Sequence, residues 1–134
     1  MIGIVLAGHG GFCDGIRDAA EMIMGPQERM AVVPLGPAEN LDLYREKLEQ
    51  ARTEVDAGDG VLVLVDLFGG SPSNVAAYLL GPTTEVVSGV SLPMLLEVLS
   101  VRDSALSQVV ETAVAAAQTG TIRLADRIRA GGGS

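Results

Sequence analysis

Short, largely apolar runs without in-and-out alternation recur along this chain, and they limit its fold more than any other feature. Four of these runs have the length of a strand, at residues 2–7, 30–35, 61–65 and 85–88. A strand that is apolar along its length is buried on both faces, as in a parallel sheet covered by helices. The runs therefore predict an α/β fold with a mostly parallel sheet.

The intervals between the runs carry helical patterns. One apolar stripe extends from Phe12 to Ile23 and is closed by Gly25 and Pro26, and a second extends over residues 41–55. Stripes of this spacing, followed by helix-ending residues, are typical of amphipathic helices. Capping residues predict three more helix starts, at Ser71 followed by Pro72, at Ser91 with Pro93, and at Asp103 or Ser104.

The order of the strands follows from this alternation, because right-handed crossovers between parallel strands produce a doubly wound, three-layer fold. The common flavodoxin-like arrangement predicts the order 2-1-3-4, which makes strands 1 and 3 neighbours. Residues 121–124 are predicted to add a short C-terminal edge strand. The length of 134 residues suits one domain, which we place at residues 1–130, with 131–134 as a flexible Gly/Ser tail or added linker.

The single histidine of the chain, His9, follows the first apolar run, and Asp66 follows the third. The carboxyl ends of strands 1 and 3 flank the crevice at which such sheets bind ligands, so both side chains are expected there. A nucleophilic histidine needs a partner to fix its tautomer, and a carboxylate is the usual one. The turn at residues 69–72, Gly-Gly-Ser-Pro, leads into a helix whose N–H groups suit an anion.

Three segments of the chain resemble the mannose-type enzyme IIA of the bacterial sugar phosphotransferase system (PTS). They are Leu-Ala-Gly-His-Gly at residues 6–10, Asp-Leu-Phe-Gly-Gly-Ser-Pro-Ser-Asn at 66–74, and Ser-Gly-Val-Ser-Leu-Pro-Met-Leu at 88–95. The second segment is quite specific, whereas Gly-His-Gly alone would be weak. The three occur in the expected order, and the resemblance covers residues 1 to about 128.

The resemblance implies a phosphoryl carrier that is cytoplasmic and takes part in sugar transport. His9 would accept a phosphoryl group from the carrier protein HPr and pass it to a IIB protein, which serves the membrane components IIC and IID. Asp66 would bind Nδ1 while Nε2 takes the phosphoryl group. The oxygens of that group would lie at Gly70, Ser71 and Ser73, at the start of a helix. The resemblance also implies a homodimer in which the C-terminal strand can cross over.

Plainer interpretations of the same residues remain open at this point. His9 could be a loop histidine bonded to a carbonyl, and Asp66 could cap a turn. Ser71 could serve only as a helix cap, which by itself stabilises a helix by about 1 kcal/mol. Ser73 is smaller than the residue that relatives often carry there, which bears on partner fit. Cys13 is predicted to be a packed thiol rather than a reactive one.

Composition excludes several classes of function. The net charge of −8 argues against nucleic-acid binding, which needs a basic surface. One histidine and one cysteine cannot build a usual zinc site, so we expect no metal and no cofactor. We see no signal peptide and no membrane-spanning stretch, which also favours a cytoplasmic protein.

Other phosphoryl-transfer classes fit less well. A response-regulator receiver needs an acidic cluster after strand 1 and a late lysine, but the only lysine is Lys47. A P-loop needs Gly-Lys, which does not occur. Two alternatives stay open: a regulatory binding protein whose phosphorylation reports sugar status, and the phosphoryl donor subunit of a dihydroxyacetone kinase.

Overall fold

A parallel sheet forms the centre of the computed structural model, which describes residues 1–131. In that part of the chain the sheet has four strands in the order β2-β1-β3-β4, and every pair is parallel. The strands are β1 (Gly3–His9), β2 (Met30–Leu35), β3 (Val61–Val65) and β4 (Thr84–Ser88). The predicted fold class and strand order are confirmed.

Helices cover both faces of this sheet. They are α1 (Phe12–Met24), α2 (Leu41–Val55), α3 (Ser71–Ala76), α4 (Leu92–Ser100), α5 (Leu106–Thr119) and α6 (Leu124–Ala130), with a 3-10 turn at Ala77–Leu79. One face of the sheet packs against α1, α4 and α5, and the other packs against α2 and α3. Within residues 1–131, no helix has both the length and the apolar character that crossing a membrane would require.

The two central strands explain why the apolar runs do not alternate. Ile4 and Leu6 of β1 point into the core beneath α1, α4 and α5, whereas Val5 and Ala7 point toward α2 and α3. All of these side chains are fully buried, as is every residue of β3. Both faces of the strands are therefore core, as the sequence predicts for a parallel sheet.

Of the three predicted helix caps, the one at Ser91 is confirmed, and the ones at Ser71 and at Asp103 or Ser104 are wrong. Ser91 caps α4, where its Oγ accepts a hydrogen bond from the Met94 N–H at 3.3 Å. Ser71 is not the N-cap of α3. The hydrogen bond from Asn74 N–H to the Gly70 carbonyl, at 3.0 Å, starts the helix one residue earlier, so that Gly70 occupies the cap position.

The predicted start of α5 at Asp103 or Ser104 is also wrong. Ala105 is the cap residue, and the helix begins at Leu106. The Ser104 N–H donates to the Val101 carbonyl at 3.0 Å, so residues 101–104 form a turn after α4. Arg102 lies within this turn, and its guanidinium donates to the carbonyls of Ile2 and Arg29 at 2.8 Å.

The predicted C-terminal edge strand at residues 121–124 is wrong as well. Residues 121–123 have no regular structure, and α6 begins at Leu124. A strand needs a neighbouring strand to pair its backbone groups, whereas a helix pairs them internally. The Leu, Ala and Arg residues of α6 favour a helix. Within it, the Arg127 N–H donates to the Arg123 carbonyl at 3.2 Å.

Candidate active site

The register of β1 and β3 brings His9 and Asp66 together at one edge of the sheet. Ala7 lies beside Val65 in the ladder, and the Asp66 N–H continues it by donating to the Ala7 carbonyl at 3.1 Å. His9 is the last residue of β1, and Asp66 directly follows β3. The side chains of both residues therefore leave the sheet at its carboxyl edge, where the topology opens a crevice.

The Asp66 carboxylate holds His9 by two hydrogen bonds. Oδ2 lies 2.7 Å from Nδ1 of the His9 ring and also accepts the His9 backbone N–H at 2.9 Å. An ionised carboxylate only accepts hydrogen bonds, so the Nδ1 atom must carry the proton. In the neutral ring this leaves an unprotonated Nε2 with a lone pair, which is the form of histidine that acts as a nucleophile.

The environments of the two side chains differ sharply. The His9 side chain is 50% exposed, whereas the Asp66 side chain is only 9% exposed. Burial raises the pKa of the Asp66 carboxyl, but hydrogen bonds from the His9 N–H, the His9 ring and the Leu67 N–H outweigh it and hold the pKa below its ordinary value. The carboxylate is therefore charged at neutral pH and largely shielded from water, while half of the histidine side chain is exposed.

The loop from β3 to α3 brings Gly70 to the site. Gly69 has a φ of +89°, which favours glycine, and it turns the chain so that Gly70 lies directly against the His9 ring. Ser71, the first residue of α3, follows at the same edge. The N–H groups in the first turn of any helix lack acceptors within that helix, so this end of α3 presents donors close to the ring.

The side chain of Ser73 contacts the last strand and makes no hydrogen bond to the histidine. It is buried, and its Oγ lies 3.2 Å from the Oγ of Ser88 at the end of β4. The structure therefore brings His9, Asp66 and Gly70 together, whereas the Ser73 hydroxyl connects α3 to the last strand. Only the backbone of Ser73 belongs to the helix start near the ring.

Two buried residues, Tyr44 and Cys13, pack near the pair but are not part of the site itself. The hydroxyl of Tyr44, on α2, donates to the Val33 carbonyl at 2.6 Å, and burial is the main cause that raises its pKa. Burial, with the negative charges of Asp66 and Asp14, raises the pKa of Cys13 to about 12. The sequence predicts Tyr44 only as part of the apolar stripe at residues 41–55, and that stripe does not indicate that Tyr44 lies near the site.

Exposed apolar side chains lie close in sequence to His9 and Asp66. Phe68 is 86% exposed, and Leu67 and Phe12 are also exposed. Leu67 and Phe68 directly follow Asp66, and Phe12 opens α1 just after His9. Exposed apolar groups around a nucleophile are typical of a surface that binds another protein. In the described residues, no group of three His, Cys, Asp or Glu side chains is placed to hold a metal ion.

The fold and the site define a class of protein: a doubly wound α/β domain with an exposed histidine that a buried carboxylate orients. Residues 3–118 match the family model described as the PTS system fructose IIA component. The chain therefore belongs to the mannose-type enzyme IIA family of the sugar phosphotransferase system. This confirms the resemblance that the sequence motifs indicate.

Two relatives illustrate the similarity. The fructose-specific EIIA component of the PTS of Bacillus subtilis is 37% identical over 105 residues, which is 77% of this chain and 72% of that protein. The mannose-specific EIIAB component of Escherichia coli K12 is 38% identical over 104 residues, or 76% of this chain. The matched region spans only 32% of that longer protein.

Solved structures agree with the fold over nearly the whole chain. The phosphotransferase component EIIA from Streptococcus agalactiae gives a TM-score of 0.85 at 28% identity and covers 94% of this chain and 99% of its own. The PTS IIA protein associated with the fucose utilization operon of Streptococcus pneumoniae gives 0.84 at 33% identity and covers 94% and 95%.

Proposed function

We propose that this protein is a phosphoryl carrier that accepts a phosphoryl group from phospho-HPr on Nε2 of His9 and passes it to a IIB protein. The observation that supports this most is the 2.7 Å contact between His9 Nδ1 and Asp66 Oδ2. It fixes the tautomer with a free lone pair on Nε2, and the ring is half exposed, so a donor protein can reach it. Membership of the enzyme IIA family supports the same role.

The transfer is an exchange between two imidazole rings. The Nε2 lone pair of His9 attacks the phosphorus of the donor phosphohistidine, a new N–P bond forms, and the N–P bond to the donor breaks with its electron pair leaving on the donor ring. No proton has to move at Nε2. The phosphorylated His9 ring takes on imidazolium character, which the charge of Asp66 stabilises through Nδ1–H. Transfer to IIB reverses these steps with a different partner.

The transferred group also needs donors for its oxygens, because catalysis of phosphoryl transfer depends on positioning and charge stabilisation. We place these oxygens at Gly70, Ser71 and Ser73, where α3 begins. Backbone N–H groups there have no acceptors within the helix. The Ser71 hydroxyl stands at the first helical position, whereas the Ser73 hydroxyl is engaged with Ser88, so Ser73 would contribute its N–H group.

The proposed cargo is the phosphoryl group and not the sugar. The names of relatives cover fructose, mannose and sorbose systems, which indicates a shared carrier step with different sugars downstream. These sugar phosphotransferase relatives favour the carrier role over a donor subunit of a dihydroxyacetone kinase.

The proposal also includes a homodimer. Leu124 and Ile128 of α6 are both exposed, and they lie four residues apart on one side of that helix. Burial of these two side chains against a second copy would remove apolar surface from water.

Incubation with phosphoenolpyruvate, enzyme I and HPr, followed by intact mass and site mapping, tests the carrier role. We expect one added phosphoryl group, on His9, that is labile to acid and stable to base. Omission of HPr and the variant His9→Ala are the matched controls, and neither should gain the group. An adduct on Asp66 or Ser71 in the unaltered chain, or no adduct at all, would contradict the proposal.

A further inference from the structure

Gly8 and Gly70 flank the His9–Asp66 pair, and neither glycine is required by its backbone conformation. Gly70 has φ −79° and ψ 168°, an extended conformation that any residue adopts. Gly8 lies within β1, in register with Pro34 of β2, and is not among the residues with positive φ. Gly10 and Gly69 differ, because their φ angles of +53° and +89° favour glycine.

Space explains Gly70 instead. A Cβ atom in ideal geometry on Gly70 would lie 2.9 Å from Cε1 of the His9 ring and 3.6 Å from Nε2. Non-bonded carbon atoms pack at about 3.5–4.0 Å, so the first distance is a steric overlap. Any side chain at position 70 therefore has to displace the ring or the loop.

Gly8 has the same relation to the carboxylate. A Cβ atom there would lie 3.1 Å from both Cβ and Cγ of Asp66 and 2.8 Å from Sγ of Cys13. The Asp66 side chain is nearly buried and accepts three hydrogen bonds in its present position. A methyl group at position 8 would therefore press on the Asp66 side chain at its Cβ and Cγ atoms.

We infer that Gly8 and Gly70 are positioning residues, which hold the nucleophile in its reactive geometry because each lacks a side chain. The His9 ring lies on the open face of Gly70, and the carboxylate that fixes its tautomer lies on the open face of Gly8. The inference rests on the proposed function in that the geometry it protects is that of phosphoryl transfer. A displacement of about 1 Å at such a site can cost about 10²-fold in rate.

The variant Gly70→Ala tests this directly. Because the chain has one histidine, its imidazole resonances are free of overlap in NMR spectra of 15N-labelled protein. We expect transfer from phospho-HPr to slow by about 10²-fold, and the Nδ1–H resonance of His9 in the unphosphorylated protein to move or broaden. The protein should stay folded, because Ala adopts this backbone conformation without strain and the overlap falls on the half-exposed His9 ring, which can move.

Gly15→Ala is the matched control. Gly15 lies on α1, its backbone is helical, and a Cβ atom there meets nothing within 4 Å. Alanine also has the better helix propensity. We expect the rate and the His9 resonances of this variant to match those of the unaltered protein.

A second variant pair protects the test against loss of folding. Gly8→Ala brings Cβ against Cys13 Sγ as well as Asp66, so it is made in a Cys13→Ala background that removes the first overlap. We compare it with Cys13→Ala alone. In the double variant, the Nδ1–H resonance of His9 should move and phosphoryl transfer should slow. In Cys13→Ala alone, the resonance and the transfer rate should both match those of the unaltered protein.

Several results would overturn the inference. A transfer rate of Gly70→Ala within about threefold of the rate of the unaltered protein would overturn it, because this corresponds to less than 1 kcal/mol in the activation barrier. So would a slow rate with unchanged His9 resonances, which would assign the loss to crowding of the partner or the phosphoryl group. If the unaltered protein accepts no phosphoryl group, the proposed function fails, yet the NMR comparison still decides whether the glycines position the ring.

Discussion

One oxygen of Asp66 holds both the backbone and the ring of His9. Oδ2 accepts the His9 N–H at 2.9 Å and lies 2.7 Å from Nδ1, while Oδ1 accepts the Leu67 N–H at 2.9 Å. The carboxylate thus joins the end of β1 to the chain that leaves β3. The orientation of the nucleophile is set by the same contact that closes this edge of the sheet.

Asp66→Asn is expected to keep the fold and to slow phosphoryl transfer by about 10²–10⁴-fold. An amide oxygen can still accept from the His9 ring, but it lacks the charge that stabilises a phosphorylated imidazole. Single-turnover transfer from phospho-HPr measures the effect. Asp103→Asn is the control, because Asp103 is exposed and lies near the N-terminus, at the opposite end of the strands. Equal transfer rates for Asp66→Asn and the control would show that the charge of Asp66 does not contribute to phosphoryl transfer.

The lowered pKa of Asp66 predicts how stability depends on pH. Burial raises this pKa, and hydrogen bonds from His9 and Leu67 lower it by more. A carboxyl with a depressed folded-state pKa contributes stability above its unfolded value of about 3.9, and loses it as pH falls through the folded value. We expect Asp66→Asn to cost about 1–3 kcal/mol at neutral pH, and this difference to shrink below about pH 4. Urea denaturation of both proteins across this range measures it, and a pH-independent difference would contradict the assignment.

Cys13 is expected to be inert in the folded protein. Burial, followed by the charges of Asp66 and Asp14, raises its pKa to about 12. The thiolate is the reactive form, so at pH 8 its fraction is about 10³-fold below that of an ordinary cysteine. Iodoacetamide should alkylate the native chain at least that much more slowly than the urea-unfolded chain. Comparable rates in the two states would show that the thiol is accessible and ionised.

The sequence could predict those features that depend on local pattern and topology. The stripe at residues 41–55 coincides with α2, Leu41–Val55. The meeting of His9 with Asp66 follows from strand order alone, since neighbouring parallel strands end at the same edge. The family motifs add the chemistry that we propose for His9.

The remaining features depend on contacts between distant parts of the chain. The start of α5 at Leu106 follows a turn that contains the anchored Arg102, and no side-chain cap marks this start. Two contacts of this kind are the hydrogen bond between Ser73 and Ser88 and the packing of the His9 ring against Gly70. Both depend on distances between side chains of different elements. The sequence alone does not distinguish a glycine that leaves room for a neighbouring side chain from a glycine that forms a turn.

Arg102 is expected to be a major stabilising residue. It is 4% exposed, and its guanidinium donates to the carbonyls of Ile2, Glu28 and Arg29 at 2.6–3.1 Å. Arg102→Met would remove these hydrogen bonds, and of the three carbonyls that of Arg29 would still accept from the Ile4 N–H. We expect a loss of about 3 kcal/mol or more in the free energy of unfolding. Arg123→Met is the control, because the Arg123 side chain is largely exposed. A loss no larger than the control's, in urea denaturation, would contradict this prediction.

The C-terminal segment is expected to hold the proposed homodimer together. A helix of seven residues with no buried side chain, as α6 is, gains little from the rest of its own chain. Its exposed Leu124 and Ile128 are the apolar groups that a second copy can cover. Removing residues 121–134 should shift the protein to monomer in sedimentation-velocity experiments, and Leu124→Ser with Ile128→Ser should weaken the dimer in the full chain. The His9 Nδ1–H resonance should survive in both, because β1 and β3 build the site within one chain. If the unaltered protein sediments as a monomer at micromolar concentrations, the homodimer is wrong.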